Sequence, residues 1–233
     1  DLDGNITHRD TMDNGNGMYN EYYLNGRINS QCRMLSAAFI GNHTTYDFHG
    51  KIIAINKFVN DNTDSTQTHY SLFDEPDYSG NTILGAEEGK WSFYENGTLS
   101  IEKYFENGKT EGITKGYYYN GMLSREISNE DNVMTGKQTY YAPDGKTTLY
   151  DIYRLNNANL YSFMQKDGTM SAPAPIGNAP LLITCYYPNG QTSAVINYDK
   201  GILNGMRTIY YPSGQAAISE NFKNGMSEGS QIK

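Results

Sequence analysis

The sequence predicts an all-β fold: repetitive antiparallel β-hairpins, about 23–24 residues per unit, forming one elongated twisted sheet. Three observations carry that expectation. An aromatic cluster followed closely by glycine recurs along the chain, and after Gly97 the turn glycines Gly121, Gly145, Gly168, Gly190 and Gly214 follow at intervals of 24, 24, 23, 22 and 24 residues. A beat in the range of roughly 20–50 residues marks a repeat array. A second turn falls halfway through each clear unit, at Asn107-Gly108, Lys200-Gly201 and Asn224-Gly225; Asn-Gly accepts the positive φ of a type I′ hairpin turn. Between the turns, Leu99 to Tyr104 alternates apolar and polar residues, as a half-buried strand does.

Taken in chain order, residues 1–17 read as a flexible, hydrated N-terminal segment. A first array spans 18–170, with aromatic turns at Tyr22–Gly26 and Tyr46–Gly50. Gly50 and Gly97 are 47 residues apart, two periods, with a degenerate unit near 73–80 between them. The stretch QCRMLSAAFI (31–40) has a helix-compatible composition after a cap at Asn29 or Ser30, but its place in the register favours strand. Residues 171–180, SAPAPIGNAP, hold three prolines, which cannot donate to a ladder, and predict a break or joint. Repeats resume over 181–233.

A net charge of −8 argues against a nucleic-acid binder, which needs a basic stripe, and against docking on anionic lipid. No apolar run reaches the roughly 18–20 residues of a membrane-spanning helix. The start at Asp1 and the Asn-, Tyr-, Gly- and Thr-rich composition suit a processed extracytoplasmic protein of a bacterium. No nucleophile elbow, phosphate loop or dinucleotide fingerprint occurs, and His8, His43, His49 and His69 lack zinc spacing. The expectation is therefore a non-enzyme with no metal and no cofactor. Residues 1–5 and 60–64 are oxygen-rich but lack the spacing of a calcium loop.

The unit at 93–121, and again at 186–229, resembles the MORN repeat and, more closely, its bacterial variant. There an aromatic–aromatic–x–Asn–Gly turn alternates with Asn-Gly-Lys-x-Glu-Gly. Degenerate copies extend the resemblance over about 18–229. That bacterial family includes YwqK-type antitoxins and envelope proteins. The resemblance implies an elongated antiparallel sheet and a non-enzymatic interaction role. Trp91 is the one tryptophan, fewer than MORN arrays carry. Choline-binding and cell-wall-binding repeats fit less well, with shorter units and more tryptophan.

Neighbouring strand residues point to opposite faces, so paired aromatics build two ladders. The candidate binding ladder is Tyr23, Tyr94, Tyr118, Tyr141, Tyr187 and Tyr211. It would offer a contact surface to a protein partner or, alternatively, to cell-wall glycan; the competing reading is that both ladders only stabilise a thin sheet. The recurring acids Glu102, Glu126, Asp151 and Glu220 read as a solvated row that protects edges. Cys32 and Cys185 are 153 residues apart, on the order of 60 Å at 4.8 Å per strand, which predicts two free thiols. The function expected is a protein-binding or scaffold module, antitoxin-like or envelope-associated.

Overall fold

The computed structural model describes residues 12–59, 62–63, 65–71, 75–155 and 158–232. Residues 1–5 lie outside these, as do 60, 61 and 64 of the second oxygen-rich segment. The chain divides into two compact units, Asp1–Thr110 and Glu111–Lys233.

The described residues are all strand and turn, with every pairing antiparallel. The first unit holds β1 (Gly17–Tyr22), β2 (Ile28–Leu35), β3 (Ala38–Tyr46), β4 (Ile52–Val59), β5 (Asn62–Thr63), β6 (Ser65–Tyr70), β7 (Pro76–Ile83), β8 (Ala86–Glu95) and β9 (Thr98–Glu106). Its strands pair in chain order, save that β5 pairs only β4, which also pairs β6. The second unit continues with β10 (Lys109–Tyr117), β11 (Leu123–Glu130), β12 (Val133–Tyr141), β13 (Thr148–Leu155), β14 (Ala158–Phe163) and β15 (Ala174–Pro175). A separate five-stranded sheet follows: β16 (Leu181–Tyr186), β17 (Thr192–Asp199), β18 (Ile202–Tyr210), β19 (Ala216–Lys223) and β20 (Met226–Ile232). Two residues of the proline-rich stretch thus pair with β14, and the sheet ends there.

Two turn types alternate. The tight turns have positive φ at both central residues, 51° and 76° at Asn107-Gly108 and 50° and 77° at Lys200-Gly201, the type I′ geometry that matches strand twist. Ser36-Ala37 adopts it too, at 51° and 64°, so 31–40 is strand, as its register favours, but is split by a turn into the end of β2 and the start of β3. The aromatic turns are wider. Tyr118 donates its N–H to Met122 O and accepts from Gly121 N–H, and Tyr187 does the same with Gln191 and Gly190. A side chain caps each: Asn120 Oδ1 accepts from Met122 N–H at 3.0 Å and Asn189 Oδ1 from Gln191 N–H at 3.0 Å. Asp144 accepts from Thr147 Oγ1 and from the Lys146 and Thr147 N–H groups. Burial works against its charge, yet these bonds hold its carboxyl below the usual range.

Burial is uneven between the units. Among the described residues of the first unit only Cys32 and Trp91 are buried apolar side chains. The second unit holds a real core, because one face of β16–β19 packs on β13, β14 and their neighbours. Tyr150 and Ile152 of β13 meet Ile183 and Cys185 of β16 and Ala194 and Ile196 of β17. Cys32 and Cys185 are both buried and neither is in a disulfide.

Burial pushes the Cys185 thiol and the Tyr187 hydroxyl up to about 12, and pushes Tyr118, Tyr150 and Tyr198 up as well. The unfolded chain releases these protons nearer the ordinary values of 9.0 for the thiol and 10.0 for tyrosine. Their stabilisation is therefore complete below about pH 9 and lost as pH climbs toward 12. Urea midpoints followed by circular dichroism should be flat to that point and then fall steadily. A flat profile to pH 12 would contradict a buried, protonated tyrosine cluster.

Candidate functional site

The structure sorts the six ladder tyrosines into two positions. Tyr23, Tyr118, Tyr187 and Tyr211 each open a wide turn. Tyr94 and Tyr141 fall one place earlier, at the register shift that ends β8 and β12. The 94–99 turn is shorter than its counterparts and the 142–147 turn longer, which moves the tyrosine by one residue. Counting aromatic pairs could not show this.

Three of the turn-opening hydroxyls serve the repeat itself. Tyr23 donates to Tyr46 O at 2.7 Å, Tyr118 to Tyr141 O at 2.5 Å and Tyr187 to Tyr210 O at 2.6 Å. Each bond spans 23 residues, one repeat, and pins one turn to the next. Tyr141 instead donates to Glu126 Oε2 at 2.7 Å; burial first, then this bond, raises it to about 12. Tyr118 is buried, Tyr23 and Tyr94 are half-buried and Tyr211 is exposed. Tyr118, Tyr187 and Tyr211 lie within electrostatic reach of one another. Tyr118→Phe removes one bond and leaves the Tyr141 carbonyl without its donor, so it should cost about 1–2 kcal/mol in urea unfolding. An unchanged midpoint would show the pin carries nothing.

The acids are not a solvated row. Lys90 pairs with Glu102, Lys115 with Glu126 at 3.8 Å and Lys137 with Asp151 at 3.1 Å, and Arg207 pairs with Glu220. The cation in each case comes from the preceding strand, and Asp151 is only 3% exposed. Cross-strand pairing draws these carboxylates inward.

The feature that sequence reading missed lies on one face of the first unit. Register places Tyr19, Phe39, His43, Phe58, His69, Tyr78, Trp91, Phe93 and Phe105 on the same side of β1–β9. They form near-continuous ring contacts. Tyr19 meets Phe39 edge-on at 5.4 Å, and Phe39 and His43 each meet Phe58 at 5.8 and 5.7 Å. His69 stacks on Tyr78 at 5.1 Å, and Trp91 lies 6.1 Å from Tyr78 and 6.3 Å from Phe93. Lys103 Nζ sits 5.7 Å above the Phe93 ring, a cation–π geometry. Trp91 is buried because it lies flat across Gly80 and donates its Nε1–H to Asn81 O at 3.0 Å; the other rings are half-buried.

Residues 87–107 match the family model of the MORN repeat variant. The matched MORN-variant segment carries Trp91, Phe93, Lys103 and Phe105, one end of the aromatic face. No curated protein matches the chain. Among solved structures, one similar chain is an alternansucrase in complex with isomaltononaose, at 12% identity and a TM-score of 0.23. The match covers 91% of this chain and 18% of that one.

The equivalent face of the second unit starts from Tyr140, Tyr150, Ile152, Ile196 and Ile209, and there the two sheets close on each other. The aromatic face of the first unit has no such cover within its unit. Its period-2 signal was visible strand by strand, but the register across strands, set by bulges at positions such as Gly41 and Gly89, was needed to join the rings. Among the described residues no group of three or more His, Cys, Asp or Glu could hold a metal ion.

Proposed function

We propose that the protein is a non-catalytic repeat module that binds another protein through the aromatic face of its first unit, in an antitoxin-like or envelope-scaffold role. One observation carries this reading. The face that the second unit covers with a sheet of its own chain is left only half-buried and ring-lined in the first. Aromatic side chains give large contact area at low entropy cost, and a contiguous apolar patch rimmed by polar residues marks an interaction site.

A second reading, glycan binding, is favoured by the near-parallel His69–Tyr78 pair, 6° between planes, and by the Trp91–Phe93 stack at 26°, flat surfaces of the kind that sugar rings stack on. The test is retention from lysate and envelope fractions on the immobilised chain, with Phe58→Ser/Tyr78→Ser as control. A stoichiometric protein lost with that variant supports protein binding. Retention on purified wall polysaccharide alone, lost with the same variant, replaces it with the glycan reading. Retention indifferent to the variant removes this face from the account.

A further inference from the structure

The aromatic face has the size, charge and composition of a homodimer interface. Eight strands of the first unit, β1–β4 and β6–β9, pair edge to edge; at about 4.8 Å per strand they span roughly 38 Å, and six residues of each strand add about 20 Å in the other direction. One such face offers on the order of 750 Å², so two together bury about 1,500 Å², the range of a stable and specific interface. A much smaller patch would suit only a transient contact.

Charge points the same way. The chain as a whole is acidic, −8, so two copies repel at most approaches. On this face the charged residues among the described positions are Glu21, Asp77, Glu87 and Lys103, three acids against one base, with Asp77 Oδ2 2.9 Å from His69 Nδ1. Glu21 already accepts from Tyr19 Oη at 3.1 Å and from Ser30 Oγ at 3.0 Å. A ring-lined face on which Glu21 and Asp77 are already engaged within the chain is one that a second copy of itself can approach with little stranded charge. The other face of the same strands carries Lys57, Glu88, Lys90 and Glu102 and is unsuited to that.

The second unit provides the chemical precedent. There, two sheets of this repeat pack through the equivalent face and bury Ile183, Cys185, Ala194 and Ile196 to 1% exposure or less. The first unit holds two buried apolar side chains among its described residues, Cys32 and Trp91, which is little for a body of that length. Face-to-face packing at about 10 Å would supply the missing layer.

We propose that the first unit self-associates through this face as an isologous dimer, two copies packed sheet to sheet about a two-fold axis. This rests on the reading of the face as a protein-binding surface and names its partner as a second copy of the chain. Asn56, half-buried in the middle of the face and paired in register with His43, lies where a two-fold axis brings like residues close.

The test is sedimentation equilibrium of the whole chain from about 1 to 100 µM, the concentrations at which an interface of this size is populated. Wild type and Tyr211→Ala should show twice the chain mass. Asn56→Glu, which sets carboxylates against each other without removing a packed ring, should weaken the dimer at least tenfold, and Phe58→Ser should as well. Each variant is first checked for wild-type circular dichroism. A wild-type monomer at every concentration overturns the proposal, as does a dimer indifferent to both substitutions. If the wild type is monomeric yet retains another protein through Phe58 and Tyr78, the dimer falls while the protein-binding reading stands. If it is monomeric and retained only on wall polysaccharide, both fall.

Discussion

Gly80→Ala should destabilise the protein by about 3 kcal/mol, near the upper end of the cost of overpacking a tight site. A Cβ at residue 80 would sit 2.0 Å from Trp91 Cδ2 and 2.3 Å from Cε2, inside the indole. The φ of Gly80 lies outside the left-handed region, so this glycine is required by the ring above it and not by its backbone. The ring cannot simply lift away. Its Nε1–H is committed to Asn81 O, and Phe105 meets it edge-on at 6.1 Å. Because Trp91 is the one tryptophan of the chain, its emission reports directly on the first unit. Gly80→Ala should lower the unfolding midpoint and shift that emission to the red. Adding Trp91→Leu should recover part of the loss. If Gly80→Ala keeps both midpoint and emission, the indole does not lie where this account puts it.

Arg207→Met is expected to cost about 3–5 kcal/mol, because it strands a buried carboxylate. Arg207 and Glu220 are directly opposed across β18 and β19, with side chains 16% and 11% exposed. The guanidinium also lies 5.0 Å from the Phe222 ring centre. Burial pulls its pKa down, but Tyr150 and Glu220 beside it more than offset this, and Arg207 stays protonated. Without it Glu220 keeps the desolvation and loses the partner. The penalty should be largest at neutral pH and shrink in acid, where the stranded carboxyl takes up a proton. Arg207→Met/Glu220→Leu should recover most of the loss, since an apolar pair of similar volume fits such a site. Equal losses for the single and double variants in urea unfolding would mean that the pair is solvated.

These two side chains mark the boundary of what could be read from sequence. The hairpin repeat was legible because turn chemistry is local: Asn107-Gly108 and Asn224-Gly225 announce their geometry residue by residue. Ser36-Ala37 does not: register favours strand over 31–40, but the turn inside that stretch carries no local signal. The turn tyrosines were legible as a repeating feature, but not as pins. The role of the Tyr118 hydroxyl depends on a carbonyl 23 residues away, which composition cannot show. The acids misled for a related reason. Glu102 and Asp151 alternate with apolar neighbours as solvent-facing residues do, and only strand pairing shows that Lys90 and Lys137 reach across to them. The aromatic face was hardest of all. Tyr19, Phe58, Tyr78 and Trp91 sit at unequal spacings, and bulged registers bring them into line.

The central claim is that this face is a contact surface for protein. It is tested most directly by diethyl pyrocarbonate modification of three histidines, in the free chain and in the chain associated with a copy or a retained partner. His43 and His69 belong to the ring-lined face, whereas His49 stands on a turn with its side chain 68% exposed. Association should slow modification of His43 and His69 together and leave His49 unchanged. Protection of His49 alone, or of none of the three, would contradict the account.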